Sequence, residues 1–424
     1  MQLWPNDKKD PIHSQNKTLF MPGKKEHALI FIYITVLIDI IGIGIIIPVL
    51  PTLITKLSNT DNISVTAQYI GWFISVYALM QFLFAPVLGG LSDRYGRRPV
   101  LLCSLLGLGV DYLILALAPD IAWLFVGRVI NGIMGSSMTT AAAYISDIST
   151  PEKRGQYFGM MSAVAGIGMI IGPIIGGVLG QYGERIPFYA AAGLSLLNLI
   201  YGFFALPESL SKDKRRPFSW KTANPIGVMR SLNKEILAPA FIVAFILIAL
   251  AGHSVQSSWS VYVMDKFKWK EDMIGYSMGL LGLLTVVFQG GLIGLFINKL
   301  GQKKSAIIFL AFFCVSMLLF GVASKGWMMF MVIAMYALGG MASPILQAMI
   351  SAKIPDNKQG LLQGGLTSIL SLSSIVGPLL MTWIFAYFTS PQSPIFYSGA
   401  PFVLGAVLAA IGSLCIYVAM KKNN

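Results

Sequence analysis

Long uncharged stretches alternate with short charged turns along this chain. Apolar runs of about 18 to 25 residues, the length that carries a helix across a bilayer, fall near 28–50, 68–90, 99–118, 121–144, 156–180 and 186–206. After a polar gap they resume near 237–259, 273–297, 305–323, 327–349, 360–388 and 399–420. Lipid cannot satisfy backbone N–H and C=O groups, so each run must satisfy its own as a helix. The pattern predicts an all-α integral membrane protein with twelve transmembrane helices. The tightest connection, Pro119-Asp120, can only join antiparallel neighbours.

The pattern also repeats. An offset of 205 residues lays Gly89, Asp93-Arg94, Gly96 and Arg98 on Gly294, Asn298-Lys299, Gly301 and Lys303. The same offset lays Lys153, Gly155, Gly159 and Gly172-Pro173 on Lys358, Gly360, Gly364 and Gly377-Pro378. This predicts two six-helix bundles related by a pseudo-two-fold axis along the membrane normal, with a pathway between them. The expected divisions are a basic tail (1–27), a first bundle (28–206), a linker (207–236), a second bundle (237–420) and a short tail (421–424). Pro217 and Pro225 argue against one continuous helix in the linker. The second copy has lost charge, with Asn298 in the place of Asp93 and Gln302 in that of Arg97.

Composition fits the pattern. Hydrophobic residues make up 55% of the chain and charged residues 12%, and the mean hydropathy is +0.71. That balance excludes a soluble globular protein. A net charge of +13 invites a nucleic-acid reading, but the basic residues sit in the short connections and form no separate domain. With the N-terminus inside, the tails and the loops on that side hold about 24 of the Lys and Arg residues, against about 6 in the opposite loops. Both termini are therefore expected in the cytoplasm. The first 27 residues are polar and basic, with no cleavable signal peptide expected. Cys103, Cys314 and Cys415 all fall in apolar runs and read as small buried hydrophobes.

Three ionisable residues interrupt the apolar runs of the first half: Asp39, Asp111 and Arg128. A charge at mid-bilayer is costly and marks function by default. At about 1.5 Å per residue, all three lie within a few ångströms of one depth. Asp111 and Arg128 stand on helices joined by a two-residue turn and can pair, either to fix packing alone or to serve coupling as well. Asp39 has no equally obvious partner, although Arg128 could switch to it. A buried acid without a fixed cation suits a reversible proton carrier, or else a water-lined acid with no proton role.

The turn Gly89-Gly90-Leu91-Ser92-Asp93-Arg94-Tyr95-Gly96-Arg97-Arg98-Pro99 packs an acid, three arginines and three glycines between two apolar runs. Asp93 is expected just before the next helix, where a carboxylate can cap free N–H groups. A second feature is the ridge Gly166, Gly168, Gly172-Pro173 and Gly176-Gly177 in the fifth run, where small side chains let helices approach closely. Uncharged polar residues inside the runs include Gln81, Asn131, Gln256, Gln289 and Gln347, which are the candidates for a substrate cavity. For any one of them an interhelical packing bond is as good a reading. No phosphate-binding G-x-x-x-x-G-K-[ST], no H-E-x-x-H, no G-x-S-x-G and no paired-cysteine motif occurs. An enzyme, a resident metal and an organic cofactor are not expected.

The order G-G-x-x-D-R-x-G-R-R-P resembles the loop between helices two and three of major facilitator transporters. With Leu37 to Gly44, Pro48 to Pro51, Tyr77 to Gln81, Asp111-Tyr112-Leu113, the Gly172–Gly177 stretch, Val287-Phe288-Gln289 and Gln359 to Gly364, the chain is similar to the bacterial tetracycline–proton antiporter family. The resemblance spans roughly residues 28–385. It implies the major facilitator fold and drug–proton exchange through Asp39, Asp111 and Arg128. It implies a gating role for Gly89, Asp93, Arg94, Gly96, Arg97 and Arg98, and an antiporter signature in Gly168, Gly172, Pro173, Gly176 and Gly177. Two positions depart from the family pattern. No acid stands near Phe313–Cys314, and Thr285 occupies a place where a histidine is common.

The resulting expectation is proton-driven efflux of an amphipathic drug across a bacterial inner membrane. Tetracycline, carried with a divalent cation, is the first candidate. The partners are then the drug, protons and the lipid bilayer, no nucleic acid is involved, and a monomer suffices. A transporter of the same fold for a nutrient or metabolite is the alternative.

Overall fold

The computed structural model describes residues 22–135, 137–218, 239–352, 354–355 and 359–422. The basic tail 1–21, most of the linker beyond 218, and Lys358 lie outside the described residues. Among the described residues the regular structure is entirely helical. Twelve spans are long and apolar enough to cross a bilayer: α1 (His27–Ser58), α2 (Ile63–Tyr95), α3 (Arg97–Leu117), α4 (Ile121–Ile148), α5 (Glu152–Gly180), α6 (Ile186–Ala205), α7 (Phe241–Phe267), α8 (Glu271–Leu300), α9 (Gln302–Val322), α10 (Gly326–Ser351), α11 (Leu362–Thr389) and α12 (Ala400–Val418). An even number of crossings leaves both ends of the described chain on one face, called here the terminal face.

Sequence-level signals set the boundaries. Asp120 caps α4, its Oδ1 accepting the N–H groups of Ala122 (2.9 Å) and Trp123 (3.3 Å). Asn62 does the same for α2 through Ser64 N–H at 3.0 Å. Gly96 and Gly301, the repeat-related glycines, hold φ of +109° and +77° and end α2 and α8. Only a residue without Cβ takes that conformation without strain.

Three spans are less regular than their hydropathy indicates. The α4 span is made of Ile121–Met134 and Ser137–Ile148, with a turn at Gly135. The α10 span is similarly made of Gly326–Gly339 and Ala342–Ser351. A π-helical segment, Val286–Leu292, lies within α8 and carries Gln289. Such segments free backbone carbonyls and re-aim side chains.

The first six spans meet the last six closely on the face away from the termini. Gly177 of α5 sits against the backbone of Glu271 and Gly275 in α8, where an added Cβ would lie 2.5 Å from Glu271 O. In the α2–α11 seam, Ser64 Oγ and Thr389 Oγ1 are 3.1 Å apart, and Ser75 Oγ donates to Ile375 O at 2.7 Å. Thr52 Oγ1 donates to Glu271 Oε1 at 2.5 Å between α1 and α8. Toward the terminal face the same helices part. A Cβ on Gly155 or Gly159 of α5, or on Gly290, Gly291 or Gly294 of α8, would meet nothing within 4 Å. Among the described residues the two halves thus meet on one face and stand apart toward the terminal face.

The cysteine expectation needs correcting. Cys103 is exposed, and Cys314 and Cys415 are half-buried. In a membrane an apolar run covers the lipid-facing surface as well as the interior, so hydrophobicity does not imply burial in protein.

Candidate functional site

The three intramembrane charges converge. Asp111 on α3 is fully buried. Its Oδ2 accepts Arg128 Nη2 at 2.8 Å and Asn131 Nδ2 at 2.5 Å. Arg128 and Asn131 are separated by nearly one turn of α4, so both face α3. Gly127 makes room for this arrangement, since a Cβ there would lie 2.6 Å from Asp111 Oδ1. The capped two-residue turn predicted at Pro119-Asp120 brings the two helices together.

Asp39 on α1 stands differently. It is 7% exposed, and among the described residues neither carboxylate oxygen has a hydrogen-bond partner. Ser137, at the start of the second piece of α4, is the polar side chain beside it. Arg128, the nearest cation by depth, is committed to Asp111. Tyr77 of α2 and Tyr112 of α3 complete the cluster, each within electrostatic reach of Asp39, Asp111 and Arg128. Neither tyrosine stood out from the sequence as a polar intramembrane residue, because a tyrosine in an apolar run reads as packing.

One cavity borders this cluster, and a second lies beyond Gln81. The smaller, about 170 Å³, carries Arg128, Asn131, Tyr77 and Gln256 on an apolar wall of Ile43, Ile47, Ile70 and Phe73. The larger, about 530 Å³, lies between α2, α4 and α11 on the terminal side, with Gln81, Phe82 and Thr139 facing Thr367, Ser368 and Ser371. Gln81 links the two, because its Nε2 donates to Tyr77 Oη at 3.1 Å and to Gly135 O at 3.3 Å. Gln289 and Gln347 line neither cavity. Gln347 Nε2 instead donates to Gln363 Oε1 at 3.0 Å, the packing bond that was the equal reading.

The glycine ridge of α5 packs on both sides. Gly168 faces Leu37 O and Ile40, flanking Asp39, while Gly172 and Gly176 lie on the backbone of Ile41 and Ile45. Pro173 contacts Gly44, and its carbonyl faces Gly275 of α8. The ridge thus joins the Asp39 helix to the second half of the chain through backbone contact.

At the terminal face the charged turn forms a network. Arg97, 9% exposed, pairs with Asp93 at 2.6 Å and with Asp147 at 3.0 Å, and its Nη1 donates to Ser92 Oγ at 2.9 Å. Asp93 does not cap the following helix as expected. It lies in the last turn of α2, which continues to Tyr95, and the break falls at Gly96. The cap is Glu208, whose carboxylate accepts Arg97 N–H at 2.8 Å and Arg98 N–H at 3.3 Å. Arg98 Nη2 donates to Phe203 O at 2.6 Å, and Arg94 lies over the Tyr95 ring. Arg216 N–H donates to Asp93 O at 3.2 Å, and Phe218 covers Gly90. A Cβ on Gly89 would meet nothing within 4 Å among the described residues. Asp147 and Glu208 escaped the sequence reading, although both stand at helix ends on the face assigned to this turn. A Cβ on the repeat-related Gly301 would meet nothing within 4 Å among the described residues.

A helical bundle with buried intramembrane charges beside a cavity is the frame of a membrane transporter, not of an enzyme, and comparison with known proteins agrees. The sequence matches the Major Facilitator Superfamily over residues 32–291 and 241–423. It is 41% identical to the class C tetracycline resistance protein of Escherichia coli, covering 91% of this chain and 95% of that one. It is 33% identical to the class H tetracycline resistance protein of Pasteurella multocida, covering 94% and 97%. Among solved structures, a bacterial homolog of the human lysosomal transporter Spinster superposes with a TM-score of 0.74 at 15% identity, covering 95% of this chain and 98% of that one. The human organic anion transporter MFSD10 superposes at 0.66 and 20%, covering 94% and 100%. These two show the fold alone. The chain belongs to the tetracycline resistance proteins of the major facilitator superfamily.

Proposed function

We propose that this protein expels an amphipathic drug, tetracycline first among candidates, across the bacterial inner membrane in exchange for protons. Both termini lie in the cytoplasm and a single chain suffices. The observation that carries the reading is the unequal pairing of the two buried acids. Asp111 has a cation and an amide donor, whereas Asp39 has neither. A buried acid with no fixed counter-ion is comfortable only when neutral, so a change in its surroundings can load or unload a proton. Asp39 is the exchanging acid, and Arg128–Asp111 reports its state to α3 and α4.

Backbone contact along α5 supports a direct path from Asp39 to the second half. Opening and closing of the terminal face then exposes the cavities to one side at a time. The Asp93–Arg97–Asp147 network acts as a latch on that face. The divalent cation travels with the drug as cargo, while the buried protein charges handle only the proton.

The test is proton movement in inverted membrane vesicles with an acid interior, on addition of tetracycline and Mg²⁺. Substrate-driven proton release that disappears in Asp39→Asn supports antiport. An inserted, folded protein that releases no protons with tetracycline or a panel of other amphipathic drugs refutes it.

A further inference from the structure

Resting on that antiport reading, we propose that the Tyr112 hydroxyl is the proton-linked partner of Asp39, the donor that the carboxylate takes up when it ionises. The unequal pairing raises a question of chemistry. Once Asp39 gives up its proton, a buried anion remains that needs hydrogen-bond donors. Arg128 is held by Asp111 at 2.8 Å, and the Asn131 amide donates to the same oxygen. A donor that is already free fits the need better than one that must first abandon a second buried acid.

Tyr112 has that property. It is 1% exposed, and among the described residues its hydroxyl, like both oxygens of Asp39, has no hydrogen-bond partner. Its position is set by α1, where the hydroxyl seats in a notch at Gly42. A Cβ on Gly42 would stand 2.1 Å from Tyr112 Oη. Gly42 is three residues beyond Asp39 and so lies on the same helix face, about one turn along. Tyr112 also lies within electrostatic reach of Asp39.

The groups that face this pair come from every packed element. They are Asp111 on α3, Arg128 on α4 and Tyr77 on α2, with Ser137 of α4 beside Asp39. Tyr77 already accepts a bond from Gln81 and lines the smaller cavity. That places it nearer the substrate side than the α1–α3 contact.

The step moves no covalent bond. Asp39 releases its proton toward the open face, and the phenol O–H turns to donate to the new carboxylate. On reprotonation that bond is lost, and the ring is held only by its packing at Gly42. Tyr112 is thus a positioning residue whose contact with α1 depends on the proton load of Asp39.

Tyr112→Phe removes the oxygen and keeps the ring in the notch. Substrate-driven proton release in inverted vesicles is measured against pH, with each protein normalised to its own maximum. Losing a donor to the ionised form should move the half-maximal pH upward by about one unit. An unmoved midpoint would overturn the proposal. Wild-type vesicles that show no substrate-driven release would instead count against antiport itself.

A second measurement needs no substrate. In pH-difference infrared spectra of the wild-type protein with ring-labelled tyrosine, a tyrosine C–O band should shift together with loss of the protonated carboxyl band. Both changes should vanish in Asp39→Asn. A carboxyl band that titrates while no tyrosine band moves would sink the idea.

Discussion

The carboxylate of Glu208, on the segment after α6, caps α3 by accepting the Arg97 backbone N–H at 2.8 Å. The contact ties the charged turn to the start of the linker, where Arg215 stands 4.0 Å from the same carboxylate. Loss of a capping side chain costs about 0.5–2 kcal/mol. Glu208→Ala should lower the unfolding midpoint accordingly and speed amide exchange at Arg97 and Arg98. Glu208→Gln keeps one acceptor oxygen and should recover part of the loss. Unchanged exchange at those two amides would remove Glu208 from the cap.

Breaking the buried pair from one side leaves an uncompensated charge. Arg128→Ala should therefore destabilise by about 3–5 kcal/mol. Adding Asp111→Ala to that background removes the stranded carboxylate and should restore part of the stability. A double-mutant cycle in detergent reads the coupling. Additive effects would mean that the 2.8 Å contact contributes nothing beyond packing.

Asp39 has no partner to strand. Asp39→Asn should leave the unfolding midpoint within a few degrees of wild type, while substrate-driven proton release falls to background. Export against a gradient at full rate in this variant would contradict the proton role.

The α5 ridge is testable by volume alone. A Cβ at Gly176 would come within 2.3 Å of Ile45 O, a backbone atom that cannot swing aside. Gly176→Ala should lower stability and transport together. Gly159→Ala meets nothing and, in a helix interior, should stabilise this open form by about 0.5–1 kcal/mol. Thermal unfolding of the two variants should move in opposite directions.

Outside the membrane, the Lys56 ammonium donates to Glu184 at 2.6 Å and holds its carboxyl below the ordinary value of 4.5. A carboxyl with a depressed folded value stabilises the fold above its unfolded value, and that contribution is lost as pH falls through the folded value. Lys56 is 65% exposed, so the pair contributes about 0.2–1 kcal/mol. The stability difference between wild type and Lys56→Met should be present at pH 6 and gone once Glu184 is protonated below its folded value. A difference that persists at that acidity would assign it to packing of the lysine stem.

Much of this was legible in one dimension. Lipid forces each long apolar run into a helix, so the twelve spans could be counted directly. A charge in such a run is costly enough to stand out, which singled out Asp39, Asp111 and Arg128. The two-residue turn at Pro119-Asp120 made the Asp111–Arg128 contact predictable, because neighbours in sequence had to be neighbours in space. Glycine at 96 and 301 marked helix breaks that only φ above zero could make.

What the chain order could not carry were contacts between distant segments. Glu208 lies 111 residues from the amide it caps. Hydropathy says nothing about which acid reaches a free N–H, so Asp93, next to the break, looked like the cap. Tyr112 became a polar residue only when α1 brought Gly42 against its hydroxyl. The five polar cavity candidates had equal standing in sequence. Helix packing turned Gln81, Asn131 and Gln256 toward the cavities, and bound Gln347 to Gln363 instead. Cys103 read as buried and is exposed, because lipid and protein interior accept the same side chains. Transfer from water selects which residues enter the membrane. Only the packing of helix on helix decides which of them meet.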